Sequence, residues 1–76
     1  MGIAITAAKL IPLLIRLGFC VIRQAGSHIH LESVTGAVRR VTVPMHNKDL
    51  PIVTLKFILR QAGISMKEFL KLLGRK

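Results

Sequence analysis

Apolar residues near the start of the chain recur at helical spacing. Thr6 is a good helix N-cap, and Gly18 can end a helix in the left-handed conformation. Between them lies a stripe of leucines at i, i+3, i+4 and i+7: Leu10, Leu13, Leu14 and Leu17. Pro12 falls inside this stripe, where a proline removes a hydrogen bond and clashes with the preceding turn. We therefore expect the first helix to begin late or to bend at Pro12.

The middle of the chain has the pattern of three short strands. The first is rich in apolar and β-branched residues, the second alternates strictly between polar and apolar residues, and the third ends at Pro44. Their predicted bounds are 19–24, 28–32 and 39–43. Because only short turns join them, at 25–27 and 33–36, the strands are predicted to form an antiparallel sheet.

Two more helices are predicted after a loop over residues 44–51. Thr54 can cap the second helix, and Gly63 can end it. Ser65 and Glu68 then form the capping box of a third helix. The apolar stripes of these two helices are Leu55, Ile58, Leu59 and Ala62, followed by Met66, Phe69, Leu70 and Leu73.

The predicted order is therefore α-β-β-β-α-α, a small two-layer α+β fold in which the helices cover one face of an antiparallel three-stranded sheet. A chain of 76 residues has room for one domain, so residues 1–76 are expected to form a single domain. The other sheet face should be open to solvent. Period-two geometry places five polar residues together on that open face: His28, His30, Glu32, Arg40 and Thr42.

Charge is the strongest signal in the composition. Twelve lysines and arginines stand against three acidic residues, which gives a formal net charge of +9. Such a chain attracts polyanions, meaning nucleic acid, anionic lipid or an acidic protein. With so few acidic residues the positive field is almost uncompensated, so we rank a polyanion-binding role above a merely solubilising one.

A single cysteine and an apolar N-terminal stretch bear on location. Cys20 cannot form an intrachain disulfide, and its apolar neighbours predict a buried thiol in a reducing, cytoplasmic setting. The stretch 3–22 is interrupted by charged residues, a proline and a glycine, so it predicts helix, turn and strand. No membrane segment is expected.

Two histidines on one strand face raise the question of a metal site. His28 and His30 project side by side, and His46 or Glu32 could supply a third ligand. However, the sequence lacks the Cys-x-x-Cys and His-Glu-x-x-His spacings, and a chain of net charge +9 is a poor host for another cation. We expect no metal ion and no small-molecule cofactor.

The alternative is acid–base chemistry on RNA. Imidazole titrates near neutral pH, so it can take a proton from a ribose 2′-hydroxyl or return one to the leaving 5′-oxygen. By pattern alone, His28 is equally well explained as a catalyst and as an exposed strand histidine with no task. His30 fits a supporting role, and His46 fits a role in ordering its loop. Ser27 precedes His28 on what should be the opposite face, so it is a turn residue rather than a nucleophile.

Longer segments resemble the HicA toxin family. They are Gly18-Phe19, the run from Arg23 to His30, the run from Val41 to His46, Thr54-Leu55, and the run from Ile58 to Ser65. The resemblance extends from Leu10 to about Leu73, in the family's order and spacing. The chain departs from the family pattern at Pro12 and at Val53, where a glycine commonly precedes the Thr-Leu pair.

This resemblance implies a double-stranded-RNA-binding-like fold, sequence-tolerant cleavage of mRNA as an mRNA interferase, and inhibition by a HicB antitoxin that covers the active face. The family's catalytic histidine lies in a Gly-Ser-His motif, which here is Gly26-Ser27-His28. The expected site is thus His28 as the catalyst. The expected RNA contacts are Arg23, Ser27, His30, Arg39, Arg40 and Lys48.

Two other functions compete with an RNA-cleaving toxin. A non-catalytic basic RNA-binding module would use the same fold and charge, and degradation of RNA in the presence of a chelator separates the two. A DNA-binding or membrane-surface protein would need a recognition helix with base-reading side chains, or a continuous basic amphipathic helix. The predicted helices show neither feature clearly.

Overall fold

A computed structural model of the chain describes residues 4–34, 36–45 and 48–74. The elements are α1 (Ala7–Arg16), β1 (Phe19–Ala25), β2 (His28–Ser33), β3 (Arg40–Pro44), α2 (Ile52–Ala62) and α3 (Met66–Gly74). The predicted order and the α+β class are confirmed. His46, whose role in its loop was predicted from sequence, lies outside the described residues.

The three strands form an antiparallel sheet in the order β1-β2-β3, with β2 in the centre. His30 on β2 lies opposite Arg23 on one side and Thr42 on the other. The pairing of β1 with β2 shifts between Val21 and Arg23, which leaves Ile22 as an extra residue in a β-bulge. The open face predicted from the sequence is therefore built by all three strands.

The core lies between one face of this sheet and the helices. Every second residue of β2 and β3 is buried there. Helix α1 packs against β1 and β3, and α2 packs against β3. The sheet contributes Ile29, Leu31, Val41 and Val43, and the helices contribute mainly Leu10, Leu14, Leu55, Ile58, Leu59 and Phe69. Burying each of these larger side chains contributes about 1.5–3 kcal/mol. Since this burial uses one face of the strands only, the polar residues between them are left on the other.

Helix α1 begins directly after Thr6, so the predicted N-cap position is confirmed, although the Thr6 side chain makes no capping hydrogen bond. Of the two effects expected at Pro12, a late start or a bend, the late start is wrong. Pro12 lies in the middle of α1 and is exposed, as is Ala8, the residue four positions earlier. Water can therefore bond the Ala8 carbonyl that the proline leaves without a helical donor. Leu17, the last residue of the predicted stripe, is exposed because α1 ends before it.

The second helix starts earlier than predicted. Its N-cap is Pro51, whose carbonyl accepts a hydrogen bond of 2.9 Å from the Leu55 amide, so the expected cap at Thr54 is wrong. Thr54 instead lies in the first turn. The predicted end of α2 at Gly63 is confirmed, with φ at 75°. The helix starts earlier because Pro51, with φ at −58° and ψ at 145°, already has the extended backbone of an N-cap residue, although no side chain caps the helix.

The capping box of α3 is present as predicted. The Glu68 amide donates to Ser65 Oγ at 3.1 Å, and the Ser65 amide donates to Glu68 Oε1 at 3.1 Å. The Phe69 side chain is buried in the core, whereas Leu70 and Leu73 of the predicted stripe remain partly exposed. The short helix thus depends on its cap and on one aromatic anchor.

Two predictions, on a membrane-spanning segment and on the burial of Cys20, can be compared with the structure. In the part of the chain that the structure describes, none of the helices has the length and apolar character needed to cross a membrane. The predicted burial of Cys20 is wrong, since this residue is exposed on β1. Because β1 is an edge strand and Cys20 lies opposite Glu32, its side chain belongs to the open face despite its apolar neighbours.

Candidate nucleic-acid interface

The open sheet face is organised in rows across the three strands, because laterally paired residues share a face. The row nearest the β1–β2 turn consists of Ala25, His28 and Pro44. The middle row consists of Arg23, His30 and Thr42. The far row consists of Cys20, Glu32 and Arg40. All five polar residues predicted to share this face are therefore on it.

His28 is the most accessible imidazole among the described residues. It is the first residue of β2, it is exposed, and its row neighbours Ala25 and Pro44 are short. Gly26, with φ at 60°, makes the tight turn before it, and the Ser27 carbonyl accepts a hydrogen bond from the Met45 amide. The backbone before His28 is thus fixed to the end of β3, and the ring itself is open to a ligand.

His30 is held differently from His28. It is half-buried, and its Nδ1 lies 3.1 Å from the Thr42 hydroxyl oxygen. This hydrogen bond orients the ring within the middle row. Arg23 completes the row from β1 with an exposed side chain. The middle row therefore combines one fixed imidazole with one freely reachable guanidinium.

The far row holds an ion pair. Arg40 Nε donates to Glu32 Oε2 at 3.1 Å, and 76% of the Arg40 side chain remains exposed. An exposed pair of this kind contributes less than about 1 kcal/mol to stability. It does, however, orient Arg40 while leaving the other guanidinium donors available to an anion. Sequence analysis placed both residues on one face and missed their pairing.

A shallow depression of about 370 Å³ lies at the centre of the face. Its exposed and half-buried walls are Ile22, Arg23, His30, Arg40 and Thr42. Sequence analysis missed Ile22, because the β-bulge that turns this side chain into the depression leaves no signature in the residue pattern.

Comparison with protein families gives a clear match. Residues 7–64 match the family described as the HicA toxin of bacterial toxin–antitoxin systems. The chain belongs to the HicA toxin family. The match begins with α1 and includes the whole sheet and α2, whereas α3 follows it. A search of curated proteins found no significant match.

The HicA fold does not bring every predicted RNA contact to the open face. Arg39 is on the helical side of the sheet, where its guanidinium lies against Gly63: a Cβ atom added to this glycine would be 2.7 Å from Arg39 Cζ. Lys48 is exposed in the loop before α2, next to Asp49, whose backbone pairs with Thr6. Ser27 is exposed in the β1–β2 turn beside His28. Arg39 and Lys48 are thus separate from the rows described above.

A metal site needs several ligand side chains close together. Within residues 4–34, 36–45 and 48–74, no three side chains of His, Cys, Asp or Glu lie together in a way that could hold a metal ion. His46, the third ligand considered from sequence, falls outside these ranges. The chemistry that the described part of the face offers is proton transfer by imidazole and anion binding by arginine.

Proposed function

We propose that this HicA chain is the toxin of a toxin–antitoxin pair and acts as an endoribonuclease that cleaves mRNA in the cytoplasm without a metal ion. The observation that carries the proposal is the position of His28 in a member of this family. It is an exposed imidazole on an open sheet face, one row from Arg23 and two rows from Arg40.

In the proposed reaction, the ribose 2′-oxygen attacks the adjacent phosphorus and the bond to the 5′-oxygen breaks. Either His28 takes the proton of the 2′-hydroxyl and solvent water protonates the departing 5′-oxygen, or His28 protonates the 5′-oxygen and water takes the 2′-proton. The products are a 2′,3′-cyclic phosphate and a 5′-hydroxyl. Because the nucleophile belongs to the substrate, the protein needs neither a nucleophilic side chain nor an activated metal-bound water.

The arginines of the face would bind the phosphate and stabilise the negative charge that grows on its oxygens during attack. Arg23 lies about 7 Å along the sheet from the His28 row, since strands rise about 3.4 Å per residue. Arg40 continues the basic surface into the far row. Ser27 would contact the RNA backbone beside His28. Arg39 and Lys48 would extend the RNA contacts beyond the open face.

The test is incubation of the purified protein with RNA and with DNA of the same sequence, both in excess EDTA. RNA should be degraded, and DNA should bind but remain intact, because it lacks the 2′-hydroxyl. Loss of RNA cleavage in EDTA, with recovery on adding zinc, would contradict the proposed mechanism. Binding of RNA without any cleavage, with or without metal, would favour the non-catalytic RNA-binding module.

We also propose that a HicB-like acidic antitoxin covers the His28 face. A domain of net charge +9 with an exposed basic face should associate rapidly with an acidic partner, and added salt should slow this association. Arg23→Glu should weaken the complex far more than Lys67→Glu, a matched charge reversal on the exposed side of α3. Equal effects of the two substitutions, or a partner found only on the helices, would refute this placement.

A further inference from the structure

The central depression of the open face has a composition that phosphate binding alone does not explain. Its walls include two arginines, but also the apolar side chain of Ile22 and the hydrogen-bonded pair of His30 and Thr42. At about 370 Å³ it lies in the lower part of the range of small-ligand sites. It is adjacent to the row that contains His28.

The β-bulge of β1 is what creates this composition. In a regular strand Ile22 and Arg23 would point to opposite faces. Here Val21 pairs with Leu31 and Arg23 pairs with His30, so Ile22 is the extra residue, and both Ile22 and Arg23 line the depression. Bulges commonly re-aim a side chain next to a functional site.

The three kinds of wall match the parts of a nucleobase. A base has an apolar flat surface, which fits against Ile22, and hydrogen-bonding edges, which fit the fixed imidazole of His30. The guanidinium of Arg23 can stack on a base or bind the neighbouring phosphate. Proteins that recognise single-stranded RNA commonly use unstacked bases in this way.

We propose that the depression binds the base of the nucleotide next to the cleaved phosphate. This subsite rests on the proposed RNA cleavage at His28. Its distance from the His28 row, about 7 Å along the strand, is on the scale of one nucleotide step in an extended chain. A base held there sets which phosphate faces His28, so the subsite determines the register of cleavage and gives the enzyme a base preference.

Binding of the base can be measured separately from cleavage. The probes are a short single-stranded 2′-O-methyl oligonucleotide, whose 2′-oxygen cannot attack, and the same backbone with every base removed. The wild-type protein should bind the base-bearing probe about 5-fold more tightly, the lower end of the gain for a base on an aromatic ring, because the base here contacts Ile22 and not a ring. Ile22→Ala should remove most of this difference and leave binding of the abasic probe unchanged.

Val21→Ala is the matched control. Val21 and Ile22 are neighbours on β1, both apolar and each 47% exposed, but Val21 does not line the depression. The Val21→Ala protein should retain the full difference in affinity between the two probes. Thr42→Val, which keeps the side-chain shape and removes the hydroxyl that orients His30, should reduce the discrimination among the four bases.

Three results would overturn the subsite. They are equal affinity of the wild-type protein for the two probes, no binding of either probe, or an equal loss of the affinity difference in Ile22→Ala and Val21→Ala. Cleavage of ordinary RNA by the same preparations separates this proposal from the proposed function. Base-dependent binding without cleavage supports the base site and counts against the nuclease. Cleavage with base-independent binding supports the nuclease and refutes the subsite.

Discussion

Replacing His28 with alanine is expected to slow RNA cleavage by roughly 10²- to 10⁴-fold, the usual contribution of a positioned acid–base group. RNA affinity should barely change, because the arginines of the face remain. The fold should also remain, since the His28 side chain is exposed and makes no hydrogen bond to any other described residue. Single-turnover rates at saturating protein, together with the affinity and the thermal unfolding temperature, measure the three quantities.

The control for this substitution is His30→Ala. His30 lies on the same face, one row away, but it is half-buried and bonded to Thr42. We expect a smaller loss of rate and a measurable loss of affinity. Retained activity in a folded His28→Ala protein would refute the assignment of His28, and equal losses of rate in the two variants would show that the whole face, and no single imidazole, is responsible.

RNA affinity is expected to fall steeply as salt rises. The chain has a net charge of +9 and only three aromatic residues, so phosphate contacts should dominate binding. For single-stranded RNA, the plot of log affinity against log salt concentration has a slope of about −0.7 for each phosphate contact. Five contacts would therefore give about a 10²-fold loss between roughly 50 and 200 mM salt. An affinity that stays flat over this range would contradict an electrostatic interface.

Two neighbouring arginines refine this measurement. Arg40→Ala should weaken binding to all sequences alike and reduce the salt slope by about 0.7, because phosphate contacts carry no base information. Arg39→Ala is predicted from the sequence to behave in the same way. Arg39, however, lies against Gly63 on the helical side of the sheet. If the salt slope is unchanged in Arg39→Ala, the phosphate contacts are confined to the open face.

The fold was predictable where the local pattern has a single physical solution. The alternation from His28 to Glu32 gives one buried face and one open face in the structure, as a half-buried strand must. Ser65 and Glu68 form their capping box because both partners are local. The errors at Pro12 and Thr54 are local and concern where a helix begins. The error at Cys20 concerns tertiary position: Cys20 has apolar neighbours in sequence, but its strand is at the edge of the sheet.

The candidate site was predictable in part. Period-two geometry separates Arg40 from Arg39, although sequence analysis assigned both to RNA binding. His28 emerged from the resemblance to HicA toxins, since the residue pattern alone left catalyst and ordinary strand histidine equally open. The contribution of Ile22 could not be anticipated. It depends on a bulge between Val21 and Arg23, and an extra residue in an irregular apolar strand gives no periodic signal.

The central claim, that an imidazole moves protons while the ribose 2′-oxygen displaces the 5′-oxygen, is tested most directly by the ends of the RNA fragments. Wild-type protein should be incubated with a defined RNA in EDTA, and the fragments identified by mass spectrometry. The account predicts 5′-hydroxyl ends together with 2′,3′-cyclic phosphate or its hydrolysis product, a 3′-phosphate. Fragments with 3′-hydroxyl and 5′-phosphate ends would contradict it, because water and not the 2′-oxygen would then have attacked the phosphorus.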